Sequence, residues 1–118
     1  MVDTTPEAAQ RELSRGTLEL AVLALIHAKP RYGYDLLTSL TEATDGAFGI
    51  KEGTLYPVLH RLDDAGYLSA DWQAEGRAAP RKYYSLTKAG KERLALLTGE
   101  WQRLASGMDR VLNGGGKR

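Results

Sequence analysis

The 118-residue sequence has no cysteine, which excludes a disulfide framework and any thiolate metal site. Histidine is scarce as well: His27 and His60 fall on different expected helices, with no cluster of metal ligands around either. The carboxylates are scattered. No Ser-His-Asp set occurs, and the glycines at the end lack the strand and helix of a phosphate cradle, so neither catalysis nor a cofactor is expected. Long hydrophobic runs are missing too. The longest, Leu18 to Ile26, is interrupted by Glu19 and is too short to span a bilayer. No charged-then-apolar leader opens the chain, which points to a cytoplasmic protein with no membrane partner. A net charge of +1 does not announce a nucleic-acid binder.

What is present is more informative. A hydrophobic content of 42% supports one domain with a core of its own, and extra burial in an oligomer would help so short a chain. The charge is unevenly placed. From Gly76 to Arg93, the cations Arg77, Arg81, Lys82, Lys88, Lys91 and Arg93 stand against Glu92 alone. Residues 1–13 instead carry Asp3, Glu7 and Glu12 against Arg11. A basic patch on a near-neutral chain suits a protein that touches phosphates with one side, and the plain alternative is a solvated charged loop.

Residues 1–13 are polar and Ala-rich, with Pro6 as a helix start, and read as an arm or a short helix. A domain is expected over residues 14–87. Thr17 reads as the N-cap of a helix from Leu18 to Ala28 that is apolar on nearly every side and belongs at the centre of the core. His27, near its end, reads as a surface residue that suits the helix dipole. Lys29-Pro30-Arg31 breaks this helix, and a second runs roughly from Tyr34 to Thr44, with Leu36, Leu37, Leu40 and Ala43 on its apolar face. Asp45-Gly46 closes it as a turn, and Phe48 and Ile50 plug the bend that follows.

The rest of the chain is organised around Lys51 to Gly66. Leu55, Val58, Leu59, Leu62 and Ala65 form one apolar face, and Gly66 stands where a left-handed cap would stop the helix. The other face carries Thr54, Tyr56, His60 and Arg61, with Lys51 and Glu52 at its start. A recognition helix needs this division, because its N-terminal residues meet base edges in the major groove; an ordinary surface helix is the competing reading. Pro57 allows two starts. From Lys51, it removes the bond to Gly53 and weakens the first turn; from Thr54 as N-cap, it is harmless. The earlier start is favoured. Tyr67 to Gln73 and Arg81 to Leu86 then alternate around Glu75 to Pro80, a hairpin with a longish loop that would form a wing. The DNA-binding candidates are Tyr34, Lys51, Glu52, Thr54, Tyr56, His60 and Arg61 on the helices, and Arg77, Arg81 and Lys82 on the wing.

Thr87 is an N-cap for a long last helix over residues 88–112. Leu94, Leu97, Trp101, Leu104, Met108 and Val111 follow at heptad spacing and are expected to meet a second copy in a twofold dimer. Such a dimer would place two recognition helices one DNA turn apart, over an inverted repeat in double-stranded DNA. Residues 113–118 read as a flexible tail. The fold expected is mainly α: a winged helix-turn-helix of three helices and a two-stranded wing, with a long C-terminal dimerisation helix.

Gly53-Thr54-Leu55-Tyr56-Pro57, Tyr32-Gly33-Tyr34-Asp35-Leu36 and Arg81-Lys82-Tyr83-Tyr84-Ser85-Leu86-Thr87 together resemble the signature of the PadR family of winged-helix repressors. The resemblance spans roughly Ser14 to Arg93. It implies a dimeric DNA-binding repressor, often released by a small ligand. In short family members that sense multiple drugs, a tryptophan in the corresponding part of the last helix stacks on flat aromatic ligands between subunits. Glu100-Trp101-Gln102-Arg103 is similar to that region but departs from it in having Gly99 just before. The ligand-binding candidates are therefore Trp101, Glu100 and Asp109, and the alternative for Trp101 is a packed anchor in the seam. Family members that sense phenolic acids carry an additional C-terminal domain, so this chain resembles the short type. The rival functions are a winged-helix interaction module without DNA binding and a DNA binder without an effector. An exposed apolar patch on the third helix would favour the interaction module.

Overall fold

The computed structural model describes residues 5–114. Seven elements follow in order: α1 (Pro6–Ser14), α2 (Leu18–Ala28), α3 (Gly33–Ala43), α4 (Glu52–Asp64), β1 (Leu68–Glu75), β2 (Ala78–Leu86) and α5 (Lys88–Leu112). The mainly helical winged-helix architecture is as the sequence implies. Of the two readings of the N-terminal stretch, the short helix is the one adopted. Thr5 caps α1 by accepting from the Ala8 amide at 3.2 Å, and Pro6 occupies the first turn, where its missing N–H costs nothing. The helix buries none of its residues in this chain. Met1 to Thr4 and Gly115 to Arg118, including most of the expected tail, lie outside the described residues. Among the described residues, no helix is long and apolar enough to cross a membrane.

The core forms where α2, α3 and α4 bring their apolar faces together under the base of the hairpin. Val22 and Leu23 of α2, Leu36 and Leu40 of α3, and Leu55, Leu59 and Leu62 of α4 are fully buried, joined by Leu68 and Tyr84 from the strands. Thr17 stands at the N-cap position of α2, but its hydroxyl donates back to the Ser14 carbonyl at 3.1 Å and does not cap that helix. His27 is exposed at the far end.

Arg31 joins three elements. Its backbone pairs with Tyr84 in both directions, at 3.1 and 2.8 Å, adding a short third rung beside β2. Its guanidinium donates to the Leu25 carbonyl at 2.9 Å and to Ser39 Oγ at 2.7 Å, and pairs with Asp35. Helix α4 begins from Lys51 as N-cap, so Pro57 lies inside the helix, in its second turn, and α4 takes the earlier of the two starts. It ends in a Schellman motif. Gly66 adopts φ 85°, its amide bonds to Asp63 and the Tyr67 amide reaches back to Leu62, each at 3.0 Å.

The hairpin is more regular than the sequence implies. The expected long loop from Glu75 to Pro80 shrinks to Gly76-Arg77, because both strands continue further and a bulge between Gln73 and Glu75 absorbs the odd residue. The register pairs Leu68 with Leu86, Ala70 with Tyr84 and Trp72 with Lys82 on one face. Only the base of that face meets the core; Trp72 is 66% exposed.

Helix α5 starts against the end of α4. The Thr87 hydroxyl accepts from the Gly90 amide at 3.0 Å and donates to the Gly66 carbonyl at 2.6 Å. Gly90 lies directly against the Tyr67 carbonyl. The first part of α5 packs on the domain, with Leu94 and Leu97 half-buried on its own core. The remainder projects, and the molecule is 62 Å long as a result.

Candidate nucleic-acid interface

The exposed stripe of α4 is formed by Gly53, Thr54, Pro57, His60 and Arg61, with Lys51 and Glu52 at its N-terminal end. No large apolar side chain lies on it. Tyr56 departs from the sequence picture: it is half-buried, on the side of α4 that faces α3. Its ring covers the Cα of Gly33, and a Cβ there would stand 2.7 Å from Tyr56 Cε1 and Cζ. Burial of the ring, and secondarily the charges of Glu52 and Tyr84, hold the phenol above its usual pKa, so it stays protonated and available as a donor. Tyr34, in the first turn of α3, is 65% exposed.

The wing returns to the same place. The Arg81 guanidinium lies 4.5 Å above the ring of Tyr32, the N-cap residue of α3, and Tyr32 meets Tyr83 edge-to-face at 5.4 Å. Lys82 Nζ lies 5.4 Å from the centre of the Tyr84 ring. Arg77 stands at the exposed turn. The first residues of α3 thus touch α4 through Gly33 and Tyr56, touch the wing through Tyr32 and Arg81, and offer Tyr34 to solvent between those contacts.

The second candidate region is the projecting part of α5. Trp101, Leu104, Met108 and Val111 are 46 to 66% exposed. The expected seam therefore divides, with Leu94 and Leu97 serving their own core and the later positions open. A shallow groove of about 440 Å³ runs along Glu100, Arg103, Leu104, Gly107, Met108 and Val111. Of the ligand-binding candidates, Glu100 borders this groove and pairs with Arg103 at 2.9 Å. Trp101 and Asp109 are exposed on the same helix but do not line it.

Residues 22–110 match the model of the transcriptional regulator PadR-like family. The chain belongs to this family. PadR-like proteins are transcriptional regulators, not enzymes. The negative transcriptional regulator PadR of Bacillus subtilis is 30% identical over 65% of this chain, which spans 42% of that protein. A PadR family regulator from Eggerthella lenta superposes with a TM-score of 0.78 at 36% identity, covering 92% of both chains. Bacillus subtilis PadR, solved in complex with operator DNA, superposes with a TM-score of 0.64 at 28% identity, over 70% of this chain and 47% of that one.

Within this PadR-like scaffold, three residues near the candidate surface escaped the sequence reading. Tyr32 stands in the Tyr32-Gly33-Tyr34 string, but nothing in the string reveals the arginine stacked on it. Arg31 follows a proline and reads as a helix breaker, although its side chain is largely buried. Glu19 is the one acid within the long apolar run. That anomaly is a signal: its carboxylate pairs with Arg93 at 2.8 Å and faces Arg61 at 3.7 Å. The hydrogen bond from Arg93 to Glu19 raises the pKa of that guanidinium further.

Proposed function

We propose that this chain is a homodimeric, sequence-specific repressor that binds double-stranded DNA in the cytoplasm, with α4 as recognition helix and β1–β2 as wing. The observation that carries the reading is the junction at the start of α3. There α4 and the return strand of the wing meet the first residues of α3 directly, beside the exposed Tyr34, so this part of the surface is preformed. Thr54 and His60 meet base edges, with Lys51, Glu52 and the half-buried Tyr56 beside them, while Arg61, Arg77, Arg81 and Lys82 meet phosphates or the minor groove. The operator complex of Bacillus subtilis PadR supports DNA as the partner.

The open seam of Trp101, Leu104, Met108 and Val111 supports self-association, because exposed apolar side chains at heptad spacing call for a second helix. A small planar aromatic effector between two copies of Trp101, with Glu100 and Asp109 near it, is the proposed release signal. The test is selection of duplexes from a random pool by the purified protein, followed by protection mapping. The expected site is an inverted repeat with half-sites about one helical turn, roughly 34 Å, apart. Recovery of no enriched sequence would reject the reading.

A further inference from the structure

Glu19 is the one acidic side chain of α2, and two arginines from two other helices share it. Arg93 of α5 donates from Nε to Oε2 at 2.8 Å, and its guanidinium lies 5.6 Å from the centre of the Tyr67 ring. That arginine is committed to the fold. The other carboxylate oxygen, Oε1, faces Arg61 Nη2 at 3.7 Å, an ion pair longer than a hydrogen bond. Glu19 is only 18% exposed, whereas Arg61 is 61% exposed at the rim of the recognition helix. Arg61 therefore has a weak internal partner and an open path to an external one.

We propose that Glu19 determines DNA specificity by withholding Arg61 from the phosphates of non-operator DNA. This inference rests on the DNA-binding reading above. Away from the operator, backbone phosphates are met loosely and out of register, and an ion pair to a largely buried carboxylate can compete with them. In a registered complex a phosphate is fixed within hydrogen-bond reach of Arg61, and the charge-assisted bond it makes is shorter and stronger than the 3.7 Å pair it replaces. The carboxylate thus subtracts one contact from the non-specific mode, whereas at the operator the contact forms and only the weak 3.7 Å pair is given up. Discrimination arises from the penalty on wrong sites as much as from attraction to the right one.

The full-length parent, Glu19→Gln, Arg61→Ala and the double variant are titrated at several salt concentrations with a random-sequence duplex and with a duplex selected from the pool. The side-chain amide introduced by Glu19→Gln would keep an acceptor for Arg93, so the joint between α2 and α5 survives. One added phosphate contact steepens the salt dependence by about 0.9, which between about 1 M and 0.1 M salt amounts to roughly eightfold. Glu19→Gln is expected to tighten random-duplex binding by about that factor at about 0.1 M, and the gain should vanish in the double variant. Arg61→Ala alone should cost operator affinity by a similar factor and change random-duplex affinity less than about twofold. The second comparison stands even if Glu19→Gln folds poorly. The inference is overturned if Glu19→Gln brings no gain, if the gain persists without Arg61, or if Arg61→Ala weakens both duplexes equally. A parent that binds neither duplex would overturn the DNA-binding reading, and this one with it.

Discussion

Two glycines in the same helix should answer the same substitution with opposite signs. Helix propensity alone makes Gly→Ala in a helix favourable by about 1 kcal/mol. At Gly99 a Cβ meets nothing within 4 Å, so Gly99→Ala should collect that gain. At Gly90 the new Cβ would collide with the Tyr67 carbonyl oxygen and stand 3.0 Å from its carbon. This backbone cannot easily retreat. The Tyr67 carbonyl accepts from the Thr87 amide at 3.1 Å, and the Thr87 hydroxyl is held between Gly66 and Gly90. Overpacking against a fixed wall typically costs about 1–3 kcal/mol, and more against backbone, so the net loss after the propensity gain is about 2 kcal/mol. For a domain near this size that lowers the melting temperature by about 5–15 °C. Urea unfolding of both variants, at one protein concentration so that self-association is constant, gives the comparison. Gly90→Ala unfolding at or above the parental midpoint would refute the close approach of α5 to the end of α4.

Other consequences are equally direct. Leu104→Glu should abolish a dimer seen by light scattering without lowering monomer stability, whereas Leu97→Glu should unfold the chain by charging its own core; a monomeric parent at micromolar concentration would remove the proposed seam. Arg77→Ala and Arg81→Ala should each weaken binding to all duplexes and reduce the salt slope by about one. Tyr32→Leu should partly reproduce the Arg81→Ala loss and add little to it, and full additivity of the two would deny Tyr32 any hold on that guanidinium. A planar cationic dye should quench tryptophan emission in the parent and much less in Trp101→Ala; equal quenching in the two would leave Trp101 as a packing residue, with Trp72 reporting the rest.

The core helices were legible because α3 and α4 carry periodic apolar faces and α2 is apolar nearly all round, and the cap positions at Lys51, Gly66 and Thr87 agree with that pattern. The wing was legible by alternation, but its length was not. Pro80 looks like a loop residue, and only the bulge before Glu75 shows how the strands pair to within two residues of each other. The seam was half legible for a similar reason: heptad spacing marks which residues are apolar, not whether the helix they meet is from the same chain. Leu94 and Leu97 meet their own. At the candidate interface the polar face of α4 was visible, but the burial of Tyr56 was not. It depends on Gly33, twenty-three residues earlier, having no side chain to keep the ring away. Pairings between distant residues, such as Arg81 with Tyr32 and Glu19 with Arg93, leave no periodic trace.

The two backbone bonds between Arg31 and Tyr84 make the base of the wing part of the helical body. Opening the hairpin there would mean breaking this rung and exposing the buried ring of Tyr84, so amide protons at Arg31 and Tyr84 should exchange only on global unfolding. Toward Gly76 the strands carry no core contact and their amides should exchange through local opening, orders of magnitude faster. The hairpin is in effect a cantilever, stiff where it leaves the domain and compliant at its cationic tip. Such a lever could follow variation in groove width from one site to the next while α4, the proposed recognition helix, keeps its register.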